Sequence, residues 1–359
     1  VWIMAYTTID DPGLFFKTVL YTGTAATNSI TGVGFTPDFV WFKGRSTGIS
    51  HQLYDTVRGN ASALVSSSDA AAIDATGDGF TSLDADGYTF NSSGGGGNVN
   101  GSGTAYVAWN WKGGTTAVPS GGTITPSAVS FSAAAGFGIY KYAGTGSGAT
   151  VAHGLGVAPV VVIIKNLGAT ANWAVYNNHI EASNGGVANT TWLVLNQNVA
   201  SQSNDAGRWN ATSPTSTTFS VGLSYDQNNK SGDDYIAYAF TPVQGYSKFG
   251  SYAGNGSTDG QFVYTGFRPA YIMVKRWSST AAGWILFDSK REGYNGDNEY
   301  LVAETDAGGG AGTYLDILSN GFKPLTSDGE WNDGSSKYVF MAFADSPLVN
   351  SEGIPTNAR

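Results

Sequence analysis

The chain repeats one pattern three times. Residues 21–24, 142–145 and 252–255 each begin with Tyr-x-Gly, and each is followed by Gly-x-x-Pro, an apolar run and a lysine. The three lysines lie 122 and then 110 residues apart and are Lys43, Lys165 and Lys275. Because the apolar framework is kept while the polar loops change, the pattern predicts a multiplied domain and not a single catalytic pocket.

The repeats predict the domain organisation. Between the first two repeats, a stretch rich in Gly, Thr, Ser, Pro and Ala reads as a linker or an extended strand-like connection. The second and third repeats abut, so we expect them to pack rigidly. The predicted parts are an N-terminal anchoring arm (1–17), repeat 1 (18–114), a linker (115–135), repeat 2 (136–244), repeat 3 (245–348) and a C-terminal tail (349–359).

Helix signals are almost absent. Only residues 67–75 could cap and form a turn or two. The rest of the chain alternates short apolar runs with clusters of Gly, Asn, Asp, Ser and Thr, which is typical of antiparallel sheets. We therefore predict an all-β fold of three tandem antiparallel β-sandwich repeats of jelly-roll or lectin-like type.

Two strands of each repeat can be predicted in detail. At residues 39–42, 161–164 and 271–274 both alternating faces are apolar, so this strand should lie in the middle of its sheet, covered on both sides. The strand that closes each repeat has mostly alanines on one face, which predicts close packing of a neighbouring layer there and a core on the other face. Its large side chains are Val107, Trp109, Trp111, Ile236, Tyr238, Phe240, Val339, Met341 and Phe343.

Composition excludes several classes of partner. The chain carries 27 acidic and 18 basic residues, a net charge of −9, so it would repel a nucleic-acid backbone. It has no cysteine, which removes disulfides, thiolate metal sites and cysteine nucleophiles. No apolar stretch is long enough to span a bilayer, so we expect no membrane insertion.

No constellation predicts catalysis. The three histidines, His51, His153 and His179, fall at unrelated positions of the repeats, and no Gly-x-Ser-x-Gly elbow precedes a helix. No pair of carboxylates recurs in an apolar run, as a glycosidase would require. We therefore predict a protein that is not an enzyme, with no catalytic residue and no cofactor.

Aspartate-rich loops raise the question of calcium. Residues 84–87 and 226–234 carry oxygen ligands at short spacing, but neither continues to the glutamate of an EF-hand, and turn chemistry explains them as well. No metal site is predicted from them. For Lys43, Lys165 and Lys275, we expect each lysine to reach solvent from the end of its strand. An aspartate on the adjacent strand would pair with it, but the neutral residue at that position of repeat 2 indicates that a charge pair is not obligatory. The residues at that adjacent position are Asp55, Asn177 and Asp288.

Several longer motifs resemble a known family. Residues 4–12, 34–43, 106–112, 153–159 and 264–270 are similar to a repeated domain of unassigned function in structural proteins of tailed, especially marine, bacteriophages. The resemblance covers nearly the whole chain. It implies localisation in the virion, as a fibre, tail or head-decoration component, and it brings no catalytic residues.

Two hypotheses of function follow. The first is a non-enzymatic virion protein, a homo-oligomer that contacts other virion proteins through apolar side chains of the arm, Tyr6, Ile9, Phe15 and Phe16. The second is a module that adheres to host-surface glycans by stacking sugars on loop aromatics. The tryptophans predicted for this contact are Trp173, Trp209, Trp277 and Trp331.

Overall fold

The computed structural model describes residues 6–45, 48–77, 79–92, 99–180, 188–202, 205–279, 282–291 and 295–356. Strands make up 43% of the structure and helices 2%. The helical part is two short 3-10 turns, Pro12–Leu14 and Ala188–Thr190. The prediction of an all-β chain is confirmed, and residues 67–75 form turns and a short strand with no helix.

Twenty-six strands follow in chain order among the described residues. The first nine are β1 (Phe16–Thr22), β2 (Asn28–Ile30), β3 (Phe39–Gly44), β4 (Gln52–Asp55), β5 (Gly59–Leu64), β6 (Ile73–Asp74), β7 (Phe80–Asp84), β8 (Gly87–Phe90) and β9 (Ala105–Trp111). The next eight are β10 (Ala128–Ser132), β11 (Phe137–Ala143), β12 (Ala149–Ala152), β13 (Val161–Asn166), β14 (Ala174–Asn177), β15 (Leu193–Val194), β16 (Thr218–Val221) and β17 (Asp234–Phe240). The last nine are β18 (Ser247–Ala253), β19 (Val263–Tyr264), β20 (Phe267–Arg276), β21 (Trp284–Asp288), β22 (Asn298–Val302), β23 (Gly310–Gly312), β24 (Leu315–Leu318), β25 (Gly321–Pro324) and β26 (Lys337–Pro347).

Three large antiparallel sheets have corresponding strand orders. They are β1-β9-β3-β4-β5-β6, β10-β11-β17-β13-β14-β15 and β18-β26-β20-β21-β22-β23. In each, the closing strand lies between the first strand of the repeat and the strand that ends in the recurrent lysine. The prediction that this lysine strand lies inside its sheet is confirmed.

Three small sheets accompany the large ones, one in each repeat. Their orders are β2-β8-β7, β12-β16 and β19-β25-β24. The segment 115–135, predicted as a linker or strand-like connection, contributes β10, which pairs with β11 and extends the large sheet of repeat 2 by one strand.

The two faces of each large sheet enter different cores. One face packs with the small sheet of the same repeat, and there the closing strands present Ala108, Ala237, Ala239, Ala342 and Ala344. The other face, with the large side chains, enters one central core that all three repeats share. The large face was expected to bury a core, and it does, but this core lies between the repeats. Small alanines let the small sheet approach closely, while bulky side chains fill the wider space between three sheets.

Candidate functional site

Among the described residues, the interfaces between repeats contain buried ion pairs, buried lysines and a buried histidine. In repeat 1, Asp55 accepts hydrogen bonds from Arg58 Nε (2.7 Å) and from the hydroxyl of Tyr238 in repeat 2 (2.7 Å). In repeat 3, Asp288 accepts from Arg291 Nε (2.6 Å) and from Trp109 Nε1 in repeat 1 (3.1 Å). Both ion pairs have side chains that are at most 2% exposed. Two of the three interfaces are thus joined by a buried ion pair and an aromatic donor.

At the interface between repeats 2 and 3, other residues take the place of the ion pair and of the aromatic donor. Asn177 of repeat 2 stands where the other repeats have aspartate, and Ile180, which lies in the central core, stands where they have arginine. Across the interface, Met341 of repeat 3 takes the place of the Tyr and Trp donors and lines the same small cavity as Asn177. A methionine side chain has no hydrogen to donate, so a buried carboxylate here would lack its partner. The neutral asparagine follows from that change.

A second set of contacts lies at the start of β4 and of the corresponding strands β14 and β21. Trp173 Nε1 donates to the carbonyl of Val65 (3.1 Å), and Trp284 Nε1 donates to the carbonyl of Val194 (2.8 Å). At the equivalent position of repeat 1, His51 Nε2 is 3.1 Å from the carbonyl of Val302. All three bonds reach the preceding repeat in the cyclic order 1, 2, 3, so the same contact is made at each interface.

His51 is held neutral by this arrangement. Its Nδ1 accepts a hydrogen bond from Trp41 Nε1 (2.7 Å), which leaves Nε2 as the protonated nitrogen that donates to Val302. Burial lowers the pKa of His51 well below its usual value, and the nearby Lys43 lowers the pKa further. The imidazole therefore acts as a neutral link between strands.

The three recurrent lysines are buried, contrary to the expectation that they reach solvent and pair with Asp55 and Asp288. Their side chains are fully enclosed, and burial lowers the pKa of each to about 8. Each ammonium donates to a backbone carbonyl of a different repeat. The acceptors are Asp306 for Lys43 (3.1 Å), Asp69 for Lys165 (3.2 Å) and Gln197 for Lys275 (3.4 Å). The physical reason for the difference is that the strand ends face another repeat and not water.

Together these contacts form a closed cycle. Repeat 1 donates to repeat 3, repeat 3 to repeat 2, and repeat 2 to repeat 1, through equivalent lysines and equivalent Trp or His side chains. Interfaces of this head-to-tail kind generate rings when the rotation closes. One chain therefore reproduces, within itself, the contacts of a threefold ring.

The N-terminal arm is part of this body. The Ile9 side chain lies in the central core, and Phe16 is stacked on Phe343 with ring centroids 5.1 Å apart. The Tyr6 hydroxyl donates to the carbonyl of Gly266 (2.7 Å), and the half-buried Phe15 ring lies 6.0 Å from that of Tyr246. Tyr6 and Phe15 thus contact repeat 3, and Phe16 packs on Trp111 of repeat 1 as well as on Phe343. Burial of Ile9 and Phe16 in the central core removes their apolar surface from water.

None of the four tryptophans predicted for glycan contact presents its ring to solvent. Trp173, Trp209, Trp277 and Trp331 are 0–4% exposed. Trp173 belongs to the interface between repeats 1 and 2, Trp277 lies in the central core, and the other two fill the cores of their own repeats. They are core residues because the loops that carry them fold back over the sheets. Stacking of a sugar needs an open ring face, so these four do not provide it.

A cleft of about 250 Å³ lies between repeats 2 and 3. Its lining includes His179, Tyr252, Trp277 and Lys337. Burial lowers the pKa of His179, and Lys248 lowers it further. The indole of Trp277 borders the cleft but is only 2% exposed, so the cleft gives little access to it.

The remaining predicted loops are explained by turn chemistry. Asp86 accepts from the amides of Gly32 (3.0 Å) and Gly34 (2.6 Å), which lowers its pKa. Asp226 pairs with Lys230 at 3.0 Å. Among the described residues, no group of three or more His, Asp or Glu side chains could hold a metal ion. Within the same residues, no helix has the length and apolar character needed to cross a membrane.

Sequence reasoning missed one pair of carboxylates. Glu304 Oε2 accepts from the amide of Trp284 (2.9 Å), and Glu330 Oε2 accepts from the preceding amide, that of Gly283 (2.7 Å). Burial raises the pKa of both acids, while the nearby Lys275 opposes the rise. No motif links these residues, so only the tertiary structure could bring them together. Both carboxylates accept hydrogen bonds from backbone amides at the start of β21.

The fold and the interfaces define a class of protein: an all-β chain whose three large antiparallel sheets share one core. The chain belongs to the family defined by a domain of unknown function (DUF7483), which matches residues 11–347. No curated protein matches the sequence.

Proposed function

We propose that the protein is a non-enzymatic structural component of the particle of a tailed bacteriophage, a fibre, tail or head-decoration subunit. In this proposal each pair of large and small sheets is one β-sandwich repeat of jelly-roll or lectin-like type, and localisation is in the virion. The resemblance of the sequence motifs to phage structural proteins is the starting point. A virion role would account for a chain whose repeats are joined by buried polar contacts at each interface.

The observation that carries the proposal is the closed cycle of equivalent interface contacts. Buried lysines, a histidine and two ion pairs join the repeats. The lysine and histidine nitrogens donate to backbone carbonyls, and the two aspartates accept from arginine, tyrosine and tryptophan side chains. A reactive lysine or histidine must instead be accessible to a substrate. Lysine and histidine side chains that are buried in this way support a structural role and not a catalytic one.

Assembly with other subunits would use surfaces other than those first expected. Ile9 and Phe16 are occupied within the chain, so contact of the arm with virion proteins would involve its exposed part, such as Leu14, which is 49% exposed. Homo-oligomers would form through the large-sheet edges β1 and β18, which lack the extra strand that β10 gives repeat 2.

The test is to locate the protein in particles. Purified particles would be analysed by mass spectrometry and by a cryo-electron-microscopy reconstruction, with antibody labelling of the full chain. The expected result is a stoichiometric protein with a fixed position and copy number. Absence of the protein from purified particles of a phage that encodes it would refute the proposal, as would turnover of host polysaccharide to new reducing ends by the isolated chain.

A further inference from the structure

Repeat 3 carries an exposed pair of aromatic rings at the edge strand β19, with Phe262 immediately before the strand and Tyr264 at its end. Phe262 is 44% exposed and Tyr264 is 51% exposed, and their ring centroids are 6.5 Å apart. Val263, between them, is 6% exposed and lies in the core of repeat 3. Since side chains alternate along a strand, the two rings share the outer face of the small sheet.

The other repeats show that the fold does not require aromatic rings at these positions. The sheet registers align Val263 with Ile30 and Val151, because these residues pair with Phe322, Tyr88 and Phe219 respectively. The residues that flank Ile30 and Val151 are small: Ser29 and Thr31 in repeat 1, and Thr150 and Ala152 in repeat 2. In repeat 1 the strand folds with the exposed Ser29 and Thr31 at these positions, and in repeat 2 with Thr150 and the buried Ala152. The fold therefore does not need aromatic rings there, and the two exposed rings of repeat 3 need another explanation.

The rings are held in place before any ligand arrives. A Cβ on Gly321 would lie 2.8 Å from the Phe262 ring, so glycine is what lets this ring lie close against β25. The hydroxyl of Tyr264 lies 3.3 Å from that of Tyr6, which in turn donates to the carbonyl of Gly266 (2.7 Å). Fixed side chains lose little conformational freedom on binding.

We propose that Phe262 and Tyr264 form a stacking site for a neutral saccharide. The two half-exposed rings offer roughly 200 Å² of aromatic surface, far below the roughly 800 Å² that each partner buries in a stable protein complex. That area suits one or two sugar rings, whose apolar C–H faces pack on aromatic rings while their hydroxyls bond to groups at the rim. The Tyr264 hydroxyl and the exposed Asp259 carboxylate are such rim groups.

Charge decides between neutral and acidic sugars. The chain has a net charge of −9, and the cation next to the site, Lys323, is already paired with Asp259. An acidic polysaccharide would be repelled at low ionic strength, whereas a neutral one would not. This inference goes beyond the proposed structural role and does not depend on it.

The experiment titrates the full chain with a panel of neutral gluco-, galacto- and manno-oligosaccharides and with acidic uronic-acid oligosaccharides, by saturation-transfer NMR. The variant F262S/Y264T copies Ser29 and Thr31 of repeat 1, so it should fold. Leu223→Ser, at a residue that is 52% exposed, is the matched control. We expect binding of at least one neutral oligosaccharide, at least tenfold weaker for F262S/Y264T and unchanged for L223S.

Four results would overturn the inference. The first three are no binding of any neutral oligosaccharide in the panel, equal binding by F262S/Y264T, and a preference for the acidic oligosaccharides. A fourth is a change in oligomeric state of F262S/Y264T by sedimentation without saccharide binding, which would assign the rings to a protein contact. None of these readouts involves particles, so failure here is distinct from failure of the virion proposal.

Discussion

The buried ion pair of repeat 3 gives the sharpest test of the interface. Asp288 holds Arg291 and the indole of Trp109, and both members of the ion pair are 0% exposed. In Asp288→Asn the side chain keeps nearly the same shape, but one acceptor oxygen replaces the two that accept from the Arg291 amide and from Trp109. The guanidinium of Arg291, however, stays buried without its counter-charge. Removing one partner of a buried pair costs about 3–5 kcal/mol, and we expect a loss of this size in the free energy of unfolding.

Repeat 2 suggests a second substitution that should restore the stability lost in Asp288→Asn. Repeat 2 carries Asn177 and Ile180 at the equivalent positions. The double variant D288N/R291I copies that pair, removes the stranded charge and should return to within about 2 kcal/mol of the original chain. The two substitutions should therefore be strongly non-additive, with an interaction energy of at least about 2 kcal/mol.

The assay is urea unfolding followed by tryptophan fluorescence and far-UV circular dichroism. Asp226→Asn, which removes an ion pair with both side chains about half exposed, is the control and should change the free energy of unfolding by less than about 1 kcal/mol. The reasoning about the buried charge would be refuted if D288N lowered the free energy of unfolding no more than D226N does. It would also be refuted if the effects of D288N and R291I on that free energy were additive.

Further predictions concern the core, the lysines and the arm. Because all repeats share the central core, urea should unfold the chain in one transition, and three separate transitions would contradict the sharing. Burial lowers the pKa of Lys275 to about 8 against 10.5 ordinarily, so the unfolded chain binds more protons between these values. The free energy of unfolding should then rise from pH 8 to about pH 9.5, less steeply in Lys275→Met. In thermal or urea unfolding, Phe16→Ala should lose about 3–5 kcal/mol, whereas Leu14→Ala should change stability by less than about 0.5 kcal/mol; equal losses would place Phe16 outside the core.

Much of the fold could be predicted from local pattern. The apolar runs on both faces of β3, β13 and β20 predicted interior strands, and the alternation of large and alanine side chains on the closing strands predicted two unlike faces. Both signals are local, because the period of a strand fixes which side chains share a face. What pattern could not say was which layer each face would meet.

The candidate site was much less predictable. The tryptophans were expected in open loops and the lysines at solvent, and both are buried, because burial depends on what another repeat places against them. The exposed rings of Phe262 and Tyr264 gave no signal in the sequence, since an alternating aromatic strand looks the same whether its outer face is covered or open. The register against Ile30 and Val151 was needed to show that they are additions to the framework.

The sequence by itself determined the β class and the positions of the interior strands, since each of these depends on residues close together in the chain. The tertiary structure alone decided that the large faces meet in a common core, that the arm packs into that core, and that Asn177 lies near Met341. Those outcomes depend on contacts between residues more than a hundred positions apart. A local period of apolar residues does not determine which distant residues meet.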